Sequence, residues 1–352
     1  MPGPCAGGRS RSLSPPEQAL AQGQWVKLIC GASNQDLAAI EDLAGLYSLA
    51  GVHCIDAAAD AAVVGAVRRG MAWAAERGTP VPWLMVSLSD GPDPHFRKAW
   101  FDPERCPPAC RRPCEQACPA LAIGLAATGA AGVLADRCYG CGRCLPACPY
   151  GLIEERSQVL AAGSVPALLA DIRPDAIELH CQAGRDGGFA DRLGQLVASG
   201  VPLQRLAVSM GADAGGAPAL GEQLWQRFDR LREAGFRPLW QLDGRPMSGD
   251  LGRGAARVAV RLLSQVRPLA PPGPLQLAGG TNGHTLALLE PDSGVAGVAF
   301  GGEARRRLQP WLQAAHGQGR RLLDCPALWP PALEHAQALV QPWLQRCGGR
   351  GC

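Results

Sequence analysis

Aromatic residues make up only 5% of the 352 positions, with just three tyrosines among them. A chain this poor in rings must build its core from aliphatic side chains, and the 47% hydrophobic content supplies them. Excess charge of one sign is also missing. Thirty-four Lys and Arg face 31 Asp and Glu, a formal net charge of +3, which leaves no basic footprint for nucleic acid. No stretch approaches the roughly eighteen consecutive apolar residues of a membrane span. The opening MPGPCAGGRSRSLSPP has arginines but no apolar segment, so it is not read as a secretory signal. HExxH, a Walker loop and a Ser-His-Asp order are absent as well, so no catalytic residue is nominated.

Cysteine is what the chain has in plenty. Of fifteen, eight lie between positions 106 and 148 in two runs. The first is Cys106, Cys110, Cys114, Cys118 followed by Pro119; the second is Cys138, Cys141, Cys144, Cys148 followed by Pro149. The second run spells C-x2-C-x2-C-x3-C-P, the bacterial ferredoxin spacing in which the fourth cysteine serves the other cluster. The tails CPALAI and CPYGLI make the segment an internal repeat, and the span between Cys118 and Cys138 has room for a short helix and a turn. A disulfide lattice needs an oxidising compartment, and zinc modules favour two C-x2-C pairs, so iron–sulfur chemistry fits better than either. The runs fit two [4Fe–4S] centres, with a [3Fe–4S] centre as the alternative for the looser first run. Many cysteines without an export signal point to a reducing cytoplasm.

Outside this segment, short aliphatic runs alternate with amphipathic stretches such as QDLAAIEDLAGLYSLAG and EQLWQRFDRLREAG. Eight strands are expected, at 26–33, 54–59, 83–89, 176–182, 205–210, 238–244, 275–281 and 295–301. Repeated βα units imply a parallel sheet, and eight of them a closed (β/α)8 barrel rather than an open α/β sheet. The ferredoxin-like segment becomes an insertion after the third strand, on the C-terminal face where barrels build their sites. The expected organisation is a disordered tail over 1–22, barrel over 23–98, a ferredoxin-like domain over 99–156, the rest of the barrel over 157–345 and a flexible tail over 346–352.

Gly279, Gly280, Gly301 and Gly302 follow the seventh and eighth strands, where barrel backbones bind phosphate. They make FMN or another phosphate-bearing ligand the expected occupant if they do more than turn the chain. Strand ends should bring Lys27, Asp56, Asp60, Ser87, Asp90, Glu178, His180, Ser209, Asp243 and Arg245 to the mouth. Lys27 sits in an apolar strand, so either it faces a polar mouth or the strand starts later. His95, Arg97 and Lys98 lead into the first cysteine run and read as a linker or as groups facing the clusters. Cys30, Cys54 and Cys181 read as buried hydrophobes, and Cys325 as structural. Cys5, Cys347 and Cys352 fall in glycine-rich termini. His53, His284, His316 and His335 show no metal-like pairing, and the Arg305-Arg306-Arg307 run reads as a solvated helix face.

The segments GQWVKLICGAS, PWLMVSLSDGPDPHFRKAWFDP, RCPPACRRPCEQACPA and DRCYGCGRCLPACPYGLI resemble the light-dependent-period (LdpA) iron–sulfur family of cyanobacteria, from about residue 23 to about 345. The resemblance implies two [4Fe–4S] clusters on the eight cysteines. In the ferredoxin arrangement Cys106, Cys110, Cys114 and Cys148 would hold one, and Cys118, Cys138, Cys141 and Cys144 the other. It also implies a redox-responsive input to the circadian clock, with clock-associated sensor kinases as partners and an electron carrier or a quinone as redox partner. No catalytic residue carries over. The rival expectation is an iron–sulfur oxidoreductase with a flavin or phosphate-bearing ligand in the barrel mouth, using Asp243, Arg245 or His180.

Overall fold

The computed structural model describes residues 13–93, 96–118, 120–124, 132–135, 137–157, 160, 162–212, 215–244 and 254–346. Eight parallel strands close into a barrel: β1 (Trp25–Ile29), β2 (Cys54–Ala58), β3 (Trp83–Ser89), β6 (Ala176–His180), β7 (Arg205–Gly211), β8 (Pro238–Asp243), β9 (Leu275–Ala278) and β10 (Gly297–Phe300). They neighbour one another in that order, and β10 pairs back onto β1. The two numbers skipped, β4 (Arg97–Trp100) and β5 (Glu154–Ser157), form an antiparallel ribbon outside the barrel. All eight expected strands exist: β3 has the expected bounds, β7 runs one residue further, and the others are shorter than their apolar runs or offset.

Helices α2 (Leu37–Ala50), α3 (Ala61–Ala75), α6 (Val165–Ile172), α7 (Asp186–Ser199), α8 (Gly216–Glu233), α9 (Ala255–Val266), α10 (Gly302–His316) and α11 (Trp329–Leu344) surround the strands. Asp36 and Asp60 accept backbone N–H bonds at the starts of α2 and α3, the side-chain caps that halt fraying there. Asp60 is thus a cap and not a mouth residue. The link from β9 to β10 breaks the repeat: it holds only a 3-10 turn, Leu286–Leu288. Its Gly- and Pro-containing sequence, GGTNGHTLALLEPDSG, lacks an apolar helical face long enough to cover the sheet.

The expected tail ends sooner than residue 22. Pro15–Gln22 forms α1, which buries Ala19 and Leu20 against Trp25, Trp83, Met85 and Leu239 at the barrel floor. Proline at its first turn is pre-set for helix, and Gly23 (φ 73) stops it in the left-handed region. Glu17 accepts from Arg205 at 2.8 Å and from Arg237 at 2.7 Å, which pins the plug to the rim of the floor. Among the described residues no helix is long and apolar enough to cross a membrane.

The β4–β5 ribbon joins the two ends of the insertion between β3 and β6. Between its strands the described residues form a 3-10 turn, Pro103–Arg105, and two short helices, α4 (Pro113–Ala117) and α5 (Cys144–Ala147). Of the span with room for a helix, the described flanks pair Ile123 with Val133 in an isolated antiparallel bridge.

Candidate functional site

The insertion packs around its own small core of Ala99, Phe101, Ala122, Ile123 and Ile153, and Cys114, Cys138 and Cys144 are buried in that same core. Cysteines substitute for the aliphatic residues that a fifty-residue unit would otherwise need. Their thiols sort into two neighbourhoods. Burial, then Cys110 and Cys148, push up the pKa of Cys106; burial and Cys148 do the same to Cys114. Burial, then Cys141, Cys138 and Cys118, push Cys144 up to about 12, and Cys141 is raised by burial, Cys118 and Cys138. The first neighbourhood thus joins three cysteines of the first run to the last of the second. The other joins three of the second run to the last of the first.

A cavity lined by Cys118, Cys138, Cys141 and Cys144, with Ala99, Ala122 and Ile123, opens within the second neighbourhood. Among the described residues no three Cys, His, Asp or Glu side chains converge as a single-ion site. A cubane differs from a lone ion in taking one thiolate at each iron corner, so its ligands stand apart around the cluster. Thiols that raise one another's pKa need a cation to ionise, and this is the chemistry that cluster iron provides. Backbone amides also aim at the sulfurs. Ala99 N–H donates to Cys138 Sγ at 3.3 Å, Ala122 to Cys118 at 3.2 Å and Arg112 to Cys110 at 3.4 Å. Burial would raise Cys148, but the amides of Leu152, Tyr150, Ile153 and Gly151 outweigh it and lower its pKa. Such N–H···S bonds are among the features that set cluster potentials. The eight residues therefore fit iron–sulfur ligation in donor type and hydrogen bonding.

The second centre of interest lies inside the barrel. Its interior is polar at mid-height, where many barrels stack Val, Ile and Leu. Lys27 is fully buried, and its ammonium donates to Glu178 and, at 3.3 Å, to Asp56. It points inward from a strand that begins at Trp25, so the later start does not hold, and its ammonium lies inside the barrel beneath the mouth rather than in it. Ser87 donates to Asp56 at 2.8 Å, and His180 Nε2 lies 3.0 Å from Glu178. Gln241 donates to Glu178 at 2.6 Å, Gln276 to Gln241 at 2.6 Å, and Trp25 Nε1–H to Gln276 at 2.5 Å. One hydrogen-bonded line thus runs from floor to mouth.

Burial pushes the Asp56 carboxyl up to about 7, with Lys27 opposing and Glu178 adding to the rise. Burial would lower His180, but Glu178, Asp93 and Asp243 hold its proton and raise it to about 9. Burial likewise disfavours charge on Lys27 and Glu178, yet each outweighs that for the other: Lys27 is raised and Glu178 held well below the carboxylate range.

Above this network a cavity of about 850 Å³, counting its open mouth, is lined by Ser87, Glu178, His180, Gln241 and Asp243. Gly279, Gly280, Gly301 and Gly302 line its other side with Glu303 and Arg305, and Tyr139 of the insertion roofs it. Gly31 (φ +106) lets that roof descend, since a Cβ there would lie 3.2 Å from Tyr139 Cβ. Gly280 (φ +89) likewise allows close approach to Ala255 of α9.

The remaining nominations scatter. Ser209 donates to Asp243 beneath the mouth, whereas Asp90 accepts from Gln182 N–H at 3.1 Å outside the cavity lining. Arg97 pairs with Glu155 at 2.8 Å across the ribbon, and Lys98 is buried against Gln35 at 2.7 Å, so neither is a solvated linker charge. His95 and Arg245 lie outside the described residues, as do Cys5, Cys347 and Cys352. Cys30, Cys54, Cys181 and Cys325 are buried. The arginine run is not a uniformly solvated face: Arg305 is buried, and Arg306 and Arg307 grip Glu303 at 2.6 and 2.9 Å. Sequence reasoning missed Tyr139, Arg305 and the two glutamines. Polar residues at alternate positions of apolar strands were the available signal for Gln241 and Gln276.

Residues 106–159 match the family profile described as the LdpA Fe-S cluster-binding domain, and residues 168–342 that of the light dependent period A C-terminal domain. Light dependent period A of Synechococcus elongatus is 47% identical over 349 residues, covering 96% of each chain. Among solved structures, thiamine phosphate pyrophosphorylase from Pyrococcus furiosus aligns over 92% of this chain and 99% of its own, at 10% identity and a TM-score of 0.38. Type I 3-dehydroquinate dehydratase from Clostridium difficile aligns over 88% and 92%, at 10% identity and a TM-score of 0.37.

Proposed function

The chain belongs to the light dependent period A family, and from that membership we propose that it is a redox sensor holding two [4Fe–4S] clusters and reporting photosynthetic electron flow to the circadian clock. The sorting of eight thiols into two crossed sets of four carries the reading. Cys106, Cys110, Cys114 and Cys148 would hold one cluster, and Cys118, Cys138, Cys141 and Cys144 the other. A bound cluster supplies one-electron oxidation and reduction without rearranging protein bonds.

The chain's own residues provide the link to the barrel. Tyr139 lies between two ligands of one set and packs on Gly31, with the Arg305 guanidinium 5.7 Å from its ring. A change of charge beside Tyr139 therefore reaches a buried cation on the barrel's C-terminal face within one side chain. The partners are clock-associated sensor kinases on that face and an electron carrier or a quinone at the insertion, all in the cytoplasm. The switch works only if a partner binds the two redox states with different affinity.

Purification without oxygen tests this. We expect about eight irons with matching sulfide per chain, and a broad visible absorbance that dithionite bleaches. Kinase capture should differ between oxidised and reduced protein; equal capture in both would sink the switch, and tightly held zinc in place of iron would sink the clusters. A second reading, an oxidoreductase acting in the barrel mouth, is favoured by one observation. His180, Glu178, Lys27 and Asp56 form a buried proton-holding array below an open cavity. Reductant-dependent turnover of a small molecule that stops in His180→Gln would select it.

A further inference from the structure

Arg305 is 7% exposed, lines the mouth cavity and lacks a carboxylate partner among the described residues. Its guanidinium makes one long bond, 3.4 Å, to Cys30 O, and faces the Tyr139 ring. Five N–H donors with one distant acceptor leave a buried charge poorly compensated. The one carboxylate next to it on α10, Glu303, is already engaged by Arg306 and Arg307.

Other donors converge on the same space. The fifteen-residue α10 begins at Gly302 on the cavity wall, and its first amides have no intrahelical acceptor. Gly301 precedes it, and among the described residues no side chain caps those amides. Gly279 (φ 57) and Gly280 (φ 89) bring bare backbone to the cavity from the end of β9. Across the cavity stand groups of the opposite kind: the carboxylates of Asp243 and Glu178, which accept, beside the Gln241 amide and His180.

We infer that this cavity binds a small hydroxylated phosphomonoester, its phosphate held by Arg305 and the first amides of α10 beside Gly280, its hydroxyls turned to Asp243 and Glu178. A tetrahedral dianion offers three oxygens to donors arriving from several directions, whereas a planar carboxylate would satisfy the guanidinium and leave the helix amides unmet. The glycines allow the anion to reach the backbone, and the opposite wall takes hydroxyl donors. This site is independent of the cluster reading, since none of its residues is a cluster ligand.

The test uses the full chain purified without oxygen, with glycerol 3-phosphate as probe, followed by titration calorimetry and by the width of its phosphorus NMR line. Saturable binding is expected, with competition by inorganic phosphate and no binding of glycerol alone. Arg305→Gln should weaken it by about 10- to 100-fold, while Arg320→Gln, in the exposed turn that follows α10, should match the parent. Should Arg305→Gln fail to fold, the phosphorus line of the parent mixture still decides. Broadening that inorganic phosphate relieves supports the site. A sharp line at millimolar probe overturns it, as does an Arg305→Gln protein that binds like the parent. Visible absorbance recorded alongside separates the two readings: clusters without phosphate binding would sink this site and leave the sensor intact.

Discussion

The barrel and the insertion solve the same problem of burial by different means. Between the barrel's eight strands and the helices around them lies one continuous, mainly aliphatic core. The described residues of the insertion form two short α-helices, one ribbon and a core in which three cysteines stand among five apolar residues. By area alone such a unit is too small to be stable without a staple. The barrel should therefore hold its fold in any metal state, while the insertion should depend on what its thiols bind.

The largest effect that would sharpen this contrast comes from the metal. Chelation of iron, or Cys144→Ser, should abolish visible absorbance and strip amide-exchange protection from the insertion core around Ala99, Ala122 and Ile153. Protection of β6 to β8 should persist, and simultaneous loss in both regions would break the distinction. Next in size is the barrel's buried charge. Lys27→Met strands Asp56 without a counter-ion and leaves Glu178 with His180 alone, and should cost about 3–5 kcal/mol in denaturant unfolding. Adding Glu178→Gln to that variant should recover part of the loss.

A third effect depends on pH. The folded-state pKa of His180 lies at about 9, above its ordinary 6.5. The stability from its proton is therefore complete below 6.5 and is lost as pH rises through 9, a decline on the order of 3 kcal/mol. Unfolding midpoints between pH 6 and 10 should show this slope in the parent and lack it in His180→Gln. The smallest effect belongs to the floor: Glu17→Gln weakens the clasp on Arg205 and Arg237 and should cost about 1–2 kcal/mol. The Glu17 pKa is lowered because the two arginines outweigh its burial, so its share of stability is present above 4.5 and fades as pH falls further.

The strands were legible because each is a run buried on both faces, bounded by polar or glycine-rich turns. The cysteine sets were legible because ligand spacing is local. What stayed hidden depends on contacts distant in sequence. Residues 15–22 carry too few apolar side chains to announce a helix, and α1 gains its burial only from a barrel floor built by other segments. Arg305, Arg306 and Arg307 look alike in a string, yet successive residues on a helix point about 100° apart, and one of the three turns into the mouth. Nothing in the string singles out Tyr139, whose role comes from the fold laying it over Gly31.

The hydrogen-bonded line from Glu178 through Gln241 and Gln276 ends on the indole of Trp25, deep beneath the mouth. Each amide in such a line donates to the next and polarises it, so a change of polarity at the top is passed toward that indole. The molecule thereby carries a reporter indole at its base, and the difference in emission between the parent and Trp25→Phe separates it from the other eight tryptophans.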